Sequence, residues 1–219
     1  MSRISLIHAT PLAIAPVVAA FRDEWPDASV FNFLEDSLTT DLKSVGSIDD
    51  SIVQRFHALA RYATETGADG ILFTCSAFGA AIESVAEKHP FLPVLKPNEA
   101  MFEEALERGN RIAMIATFEP SVPSMQREFE AMAQRINPKA TLETACVPRA
   151  MDALASGDTE THNQLIAAAA KEFADRDVLM LAQFSMASAR ANVMENVSIP
   201  VLTSPMSAVR KLRLMLGAS

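Results

Sequence analysis

Short apolar runs alternate with longer amphipathic stretches along this chain. Eight runs read as strands: residues 3–8, 29–33, 70–74, 92–95, 111–116, 141–147, 178–182 and 199–202. They are short and apolar nearly throughout, as parallel strands covered on both faces should be. Eight intervening stretches carry helical spacing: 14–24, 50–66, 77–88, 99–108, 122–135, 159–173, 187–195 and 205–216. Strand–helix alternation of this kind predicts an α/β fold with parallel sheets and right-handed crossovers.

The pattern repeats within the chain. GADGILFTCSAF (67–78) corresponds to ADRDVLMLAQFSM (174–186), with Asp69 matching Asp177 and Cys75 falling on Gln183, 108 positions on (183 − 75). The run from Arg3 to Ile7 matches Arg111 to Ile115 at the same offset, 111 − 3. Pro93-Val94-Leu95 matches Pro200-Val201-Leu202 at 107 (200 − 93), and Thr10 lies 107 before Thr117. Ordered blocks at a near-constant offset indicate a duplicated βα unit. The expected architecture is two pseudo-symmetric Rossmann-like lobes, each a mostly parallel four-stranded sheet flanked by helices. Residues 1–97 plus 205–219 form the N-terminal lobe, and residues 98–204 the C-terminal lobe. Ligands in such sheets bind beyond the carboxyl ends of the strands. The expected result is a cleft with Cys75 on one wall and Gln183 on the other.

Composition narrows the class. The net charge is −8, and no basic tract or RNA-reading aromatic motif occurs, which argues against a nucleic-acid partner. No apolar run is long enough to span a membrane. The N-terminal stretch is interrupted by Pro11 and Pro16 and reads as mature structure, so the cytoplasm is the expected location. The two cysteines, Cys75 and Cys146, form no CxxC, so no disulfide framework is indicated. Neither a P-loop nor GxGxxG is present, and the histidines lack metal-ligand spacing. No cofactor or metal is expected.

Cys75 ends a strand and precedes a helix, where the helix dipole favours a thiolate. His8 ends the first strand and is either a thiol partner or a histidine bonded to backbone. Thr10, Pro11, Ser76, Ala77, Thr117, Ser121, Gln183, Phe184 and Ser185 cluster at predicted strand ends. Their hydroxyls and backbone N–H groups are either anion donors or plain helix caps. Lys96 and Arg149 also follow strands, whereas Glu119 disfavours an anion beside it. His57, His89 and His162 fall in polar contexts and are expected at the surface.

ILFTCSAFG resembles the first cysteine motif of the aspartate/glutamate/hydantoin racemase superfamily, which also holds maleate isomerase and arylmalonate decarboxylase. RIAMIATFEPSVPSM resembles the start of that family's second lobe, VLMLAQFSM its second cysteine motif, and PVLTSP the approach to its last helix. The resemblance implies a cofactor-independent enzyme acting on a small carboxylate or amino-acid-like substrate, and a possible homodimer. Racemases of this family use two cysteines, one removing the α proton and the other returning it. Here Gln183 stands at the second cysteine position, and an amide has no useful pKa near neutrality. The sequence therefore leaves open one-thiol isomerisation, a lyase or decarboxylase step, and a non-catalytic ligand-binding relative. A cysteine hydrolase would need His8 as the base.

Overall fold

The structure, a computed structural model, describes residues 1–218. The chain divides into two compact units. One comprises Met1–Glu99 and the residues from Ala208 on, and the other Ala100–Ser207.

The N-terminal unit is built on β1 (Arg3–His8), β2 (Ser29–Leu34), β3 (Gly70–Phe73) and β4 (Val94–Leu95). They lie in the order β2-β1-β3-β4, every pair parallel. Its helices are α1 (Ile14–Glu24), α2 (Ser37–Val45), α3 (Asp50–Glu65) and α4 (Gly79–Lys88). The C-terminal unit repeats the scheme with β5 (Arg111–Ala116), β6 (Thr141–Cys146), β7 (Val178–Leu181) and β8 (Val201–Thr203), in the order β6-β5-β7-β8, again all parallel. Its helices are α5 (Glu99–Arg108), α6 (Val122–Ile136), α7 (Pro148–Ala155), α8 (Thr159–Ala170) and α9 (Arg190–Met194). The last helix, α10 (Ser204–Met215), begins in this unit and ends in the N-terminal one.

Register repeats as well as order. Ile4 pairs with Gly70 in one sheet and Ile112 with Val178 in the other. Asp69 accepts the Arg3 N–H at 2.7 Å, and Asp177 accepts the N–H groups of Asn110 and Arg111 at 2.9 and 2.8 Å. Each aspartate thus ties the start of a central strand to the approach of its neighbour, which is why both copies carry it.

Burial alternates with the pleat, because successive strand side chains point to opposite faces. In the C-terminal unit Ile112, Met114, Val178 and Met180 pack with Phe102, Met125 and Phe129 of α5 and α6. Ala113, Ile115, Leu179 and Leu181 pack on the other face with Ile166, Ala170 and Val193. In the N-terminal unit Ile7, Ile71 and Phe73 pack with Ile52, Phe56 and Ile82 of α3 and α4. Phe56 lies 5.1 Å, centroid to centroid, from both Phe73 and Phe78.

The expectation of strands covered on both faces fails at β2 and β6. Both are edge strands with several exposed or half-buried positions. Two helices, α2 and α7, lie outside the helical stretches read from the pattern. Each buries a single residue fully, Leu38 and Ala150 respectively, and at 9 and 8 residues each is shorter than the stretch over which helical periodicity is read. By contrast, α3 buries Ile52, Phe56, Ala60 and Ala63 and is capped by Asp49, whose carboxylate accepts the Ile52 N–H at 2.9 Å. Among the described residues no helix is long and apolar enough to cross a membrane.

Candidate active site

Beyond β3 the backbone stays extended through Cys75, then turns into a short 3-10 helix, Ser76–Phe78, that leads into α4. The Thr74 N–H still bonds the Ile7 carbonyl at 3.1 Å, so Cys75 is the first residue free of the ladder. Its sulfur accepts the backbone N–H of Ala77. The residue reaches the surface in part, but it also lines a recess with Ile7, His8, Ala9, Leu38, Phe56 and Phe73 that has no room for a water molecule. Burial therefore pushes the thiol pKa up, and the Ala77 N–H offsets this only in part. This corrects the expectation of a thiolate favoured by a helix dipole. The turn after Cys75 is too short to carry much dipole, and desolvation wins.

His8 is fully buried at the end of β1 and lines the same recess. Its Nε2 lies 2.9 Å from Asn32 Oδ1 and its Nδ1 2.8 Å from Thr74 Oγ1. The Asn32 carbonyl can only accept, which places the proton on Nε2 and leaves Nδ1 to accept from the Thr74 hydroxyl. Both ring nitrogens are occupied, and among the described residues no hydrogen bond joins His8 to Cys75. Burial lowers the His8 pKa, opposed by the bond to Asn32, and favours the neutral imidazole. Asn32 and Thr74 were missed in the sequence. The one available signal was a polar Asn inside the apolar run VFNFL.

The remaining N-terminal candidates are local. Thr10 Oγ1 accepts the Leu12 N–H at 3.4 Å and caps a 3-10 turn whose first residue, Pro11, is exposed. Ser76 and Ala77 are half-buried in the turn after Cys75. Lys96 is bonded to Glu83 at 2.7 Å.

In the C-terminal unit the equivalent strand ends bring Thr117, Ser121 and Gln183 together. Gln183 Oε1 accepts from the Thr117 N–H at 2.9 Å and from its hydroxyl at 3.4 Å. Gln183 Nε2 donates to Ser121 Oγ at 3.2 Å, and the Ser121 hydroxyl donates to the Phe118 carbonyl at 2.7 Å. Phe184 is buried, and Ser185 is half-buried with its carbonyl accepting from Ser188. The strands and 3-10 turns keep an offset of 108 through this region, Pro11–Ala13 matching Glu119–Ser121. Thr117 therefore corresponds to Ala9, not to Thr10. His162 is fully buried with Nδ1 2.8 Å from the Ala150 carbonyl, contrary to the expected surface position, because α7 packs over α8. His57 is half-buried against Ser84 at 2.9 Å. Among the described residues no group of three His, Cys, Asp or Glu is placed to hold a metal ion.

Residues 16–212 match the family model described as Asp/Glu/Hydantoin racemase. The chain belongs to this family. No curated protein sequence matches it significantly. Similar solved structures include Picrophilus torridus aspartate racemase, at 14% identity and a TM-score of 0.72, covering 99% of this chain and 95% of that one. Allantoin racemase from Klebsiella pneumoniae aligns at 19% identity and a TM-score of 0.69, covering 99% and 89%. A glycine-to-cysteine variant of arylmalonate decarboxylase in its sulfate-associated form aligns at 18% identity and a TM-score of 0.70, covering 99% and 94%. The racemase fold is common to all of them.

Proposed function

We propose that this racemase-family chain is a cofactor-independent isomerase of a small carboxylate or amino-acid-like acid, working through the single thiol of Cys75. The observation that carries the reading is the position of Cys75. It is the first residue beyond the ladder at the carboxyl end of β3, where parallel sheets bind ligands. At the repeat-equivalent position stands Gln183, whose amide neither takes nor gives up a proton near neutrality. One thiol supports isomerisation by addition. The thiolate bonds to one carbon of an activated double bond, the former double bond rotates, and elimination restores the thiolate and the new isomer.

Burial of the thiol favours a second reading, a lyase step. A group held in its protonated form is suited to deliver a proton to a carbanion left by loss of CO₂. Both readings are tested by assaying maleate, hydantoins, amino acids and arylmalonates with the native chain and Cys75→Ala. The expected result is turnover of at least one class that disappears in the variant. Full turnover by Cys75→Ala would remove the thiol from the mechanism. Running the decarboxylation in D₂O separates the readings, since the lyase places one deuterium on one face of the product.

A further inference from the structure

The two sheets end in edge strands of opposite character. β2 and β6 hold equivalent places, each paired on one side only, with the central strand of its unit. An unpaired strand edge is a row of free N–H and C=O groups that can template another strand, and charged side chains commonly guard it. β6 is guarded in this way. Its exposed positions are Thr141 and Glu143, and the Glu143 carboxylate is held by Arg176. β2, with the sequence SVFNFL, carries neither charge nor proline, and its exposed positions are Phe31, Asn32 and Leu34. Phe31 and Leu34 are 37% and 44% exposed, so this edge is apolar as well as unpaired. Tyr62 of α3, itself exposed, meets Phe33 edge-on at 5.4 Å and widens the apolar surface beside the strand.

The backbone fixes which residues face outward. Ser29 and Glu35 donate their N–H groups to the Ser2 and His8 carbonyls, at 2.8 and 2.9 Å. Alternate residues of an extended strand direct N–H and C=O to the same side, so Phe31 and Phe33 bond towards β1 as well. Val30, Asn32 and Leu34 therefore direct theirs away from the sheet. We propose that β2 pairs antiparallel with β2 of a second copy of this chain, about a twofold axis at Asn32. The resulting homodimer has one sheet of eight strands, four from each copy. Such an isologous pairing has to be self-complementary, and this edge is. Centring on Asn32 uses all three outward residues and sets Val30 opposite the partner's Leu34. Phe31 then faces the partner's Phe33 at a position without ladder bonds, where opposed side chains come closest. The first charge met is Glu35, which falls opposite the partner's Ser29 and is already paired with Arg55. No like charges oppose one another, and each apolar side chain of the strand gains an apolar neighbour.

Sedimentation velocity of the full chain over a range of concentrations reads the association. A strand edge covers less than the roughly 800 Å² per partner of a standard interface, so the expected dimer is weak, half formed on the order of 10–100 µM. Amide hydrogen exchange locates it. The N–H groups of Val30, Asn32 and Leu34 should gain about tenfold or more in protection as concentration rises through that range, whereas Phe31 and Phe33, bonded within the sheet, should change little. Leu34→Lys puts a charge against the partner's Val30 and is expected to keep the chain monomeric where the native chain is dimeric. Glu143→Gln, on the other edge, should leave the dimer unchanged. A native chain that stays monomeric on the order of 1 mM overturns the proposal and leaves the edge to a strand of another protein. So does a dimer in which the three outward amides gain no protection, a Leu34→Lys chain that associates as the native one does, or a dimer lost in Glu143→Gln. Should Leu34→Lys fail to fold, exchange in the native chain decides the matter alone.

Discussion

The protonation states of Cys75 and His8 are set by the same recess. Desolvation disfavours the charged form of each, raising the thiol pKa and lowering that of the imidazole. For His8 this has a consequence for stability. Above its ordinary value of 6.5 the imidazole is neutral in both states and the contribution is complete. Below 6.5 the unfolded chain takes up the proton first, so stability falls as pH drops towards the lowered folded value. His57, also lowered by burial and by the charges of Lys88 and His89, acts in the same direction. Urea denaturation at pH 7.5 and pH 5 should show the native chain losing stability on acidification. His8→Gln should lose less between the two conditions, and His57 should account for a residual slope. An unchanged difference would mean that burial does not hold His8 neutral. Sequence alone placed His8 and Cys75 each at the end of a strand, and the structure makes those strands neighbours. The sequence did not reveal which nitrogen carries the proton, because Asn32 and Thr74 lie 24 and 66 positions from His8.

Among the elements, α2 matters most to the thiol. Its one fully buried side chain, Leu38, closes the recess around Cys75. Arg55 of α3 holds the segment through ion pairs with Glu35 and Asp41. Leu38→Ala should cost about 2–5 kcal/mol, the range for truncating a buried leucine. It should also speed alkylation of Cys75 by iodoacetamide, by admitting water and reagent. Stability loss without faster labelling would show that Leu38 packs the core but does not seal the thiol. The pinned strand starts give a second element-scale prediction. A Cβ built at Gly109 would lie 2.3 Å from the Asp177 Cβ. Gly109→Ala should therefore destabilise by about 1–3 kcal/mol, the usual cost of overpacking, measured by thermal or urea unfolding. A neutral result would mean that the turn before β5 can shift without releasing Asp177. The central strands were legible because their buried faces force continuous apolar runs. The helix α2 was not, because its 9 residues are shorter than the stretch over which helical periodicity is read. The shared Asp69 and Asp177 were visible as a match, but their role needed the backbone N–H groups they accept.

At the scale of the whole chain, duplication explains why two sheets share one order and one register, and it was readable from offsets of 107 and 108. What duplication does not predict is where the copies diverge in use. The amide of Gln183 turns inward onto Thr117 and Ser121, 66 and 62 positions away, and no local pattern encodes that bond. The chain path adds an asymmetry of its own. The C-terminal unit is one continuous segment, whereas the N-terminal unit is completed by residues from Ala208 on. Ala208, Val209 and Leu212 of α10 are fully buried. Arg210 pairs with Glu24 at 2.6 Å, and the Leu212 side chain packs where Gly70 has no Cβ. A chain ending at Ser207 therefore deprives the N-terminal unit of a helix that covers β3, while every strand of the C-terminal unit keeps its partners. Hydrogen exchange of that truncated chain should show β1 to β4 losing protection and β5 to β8 retaining most of theirs, since cooperative units open with the contacts they contain. Equal loss in both sets of strands would show instead that the two copies unfold as one and that α10 stabilises the molecule as a whole.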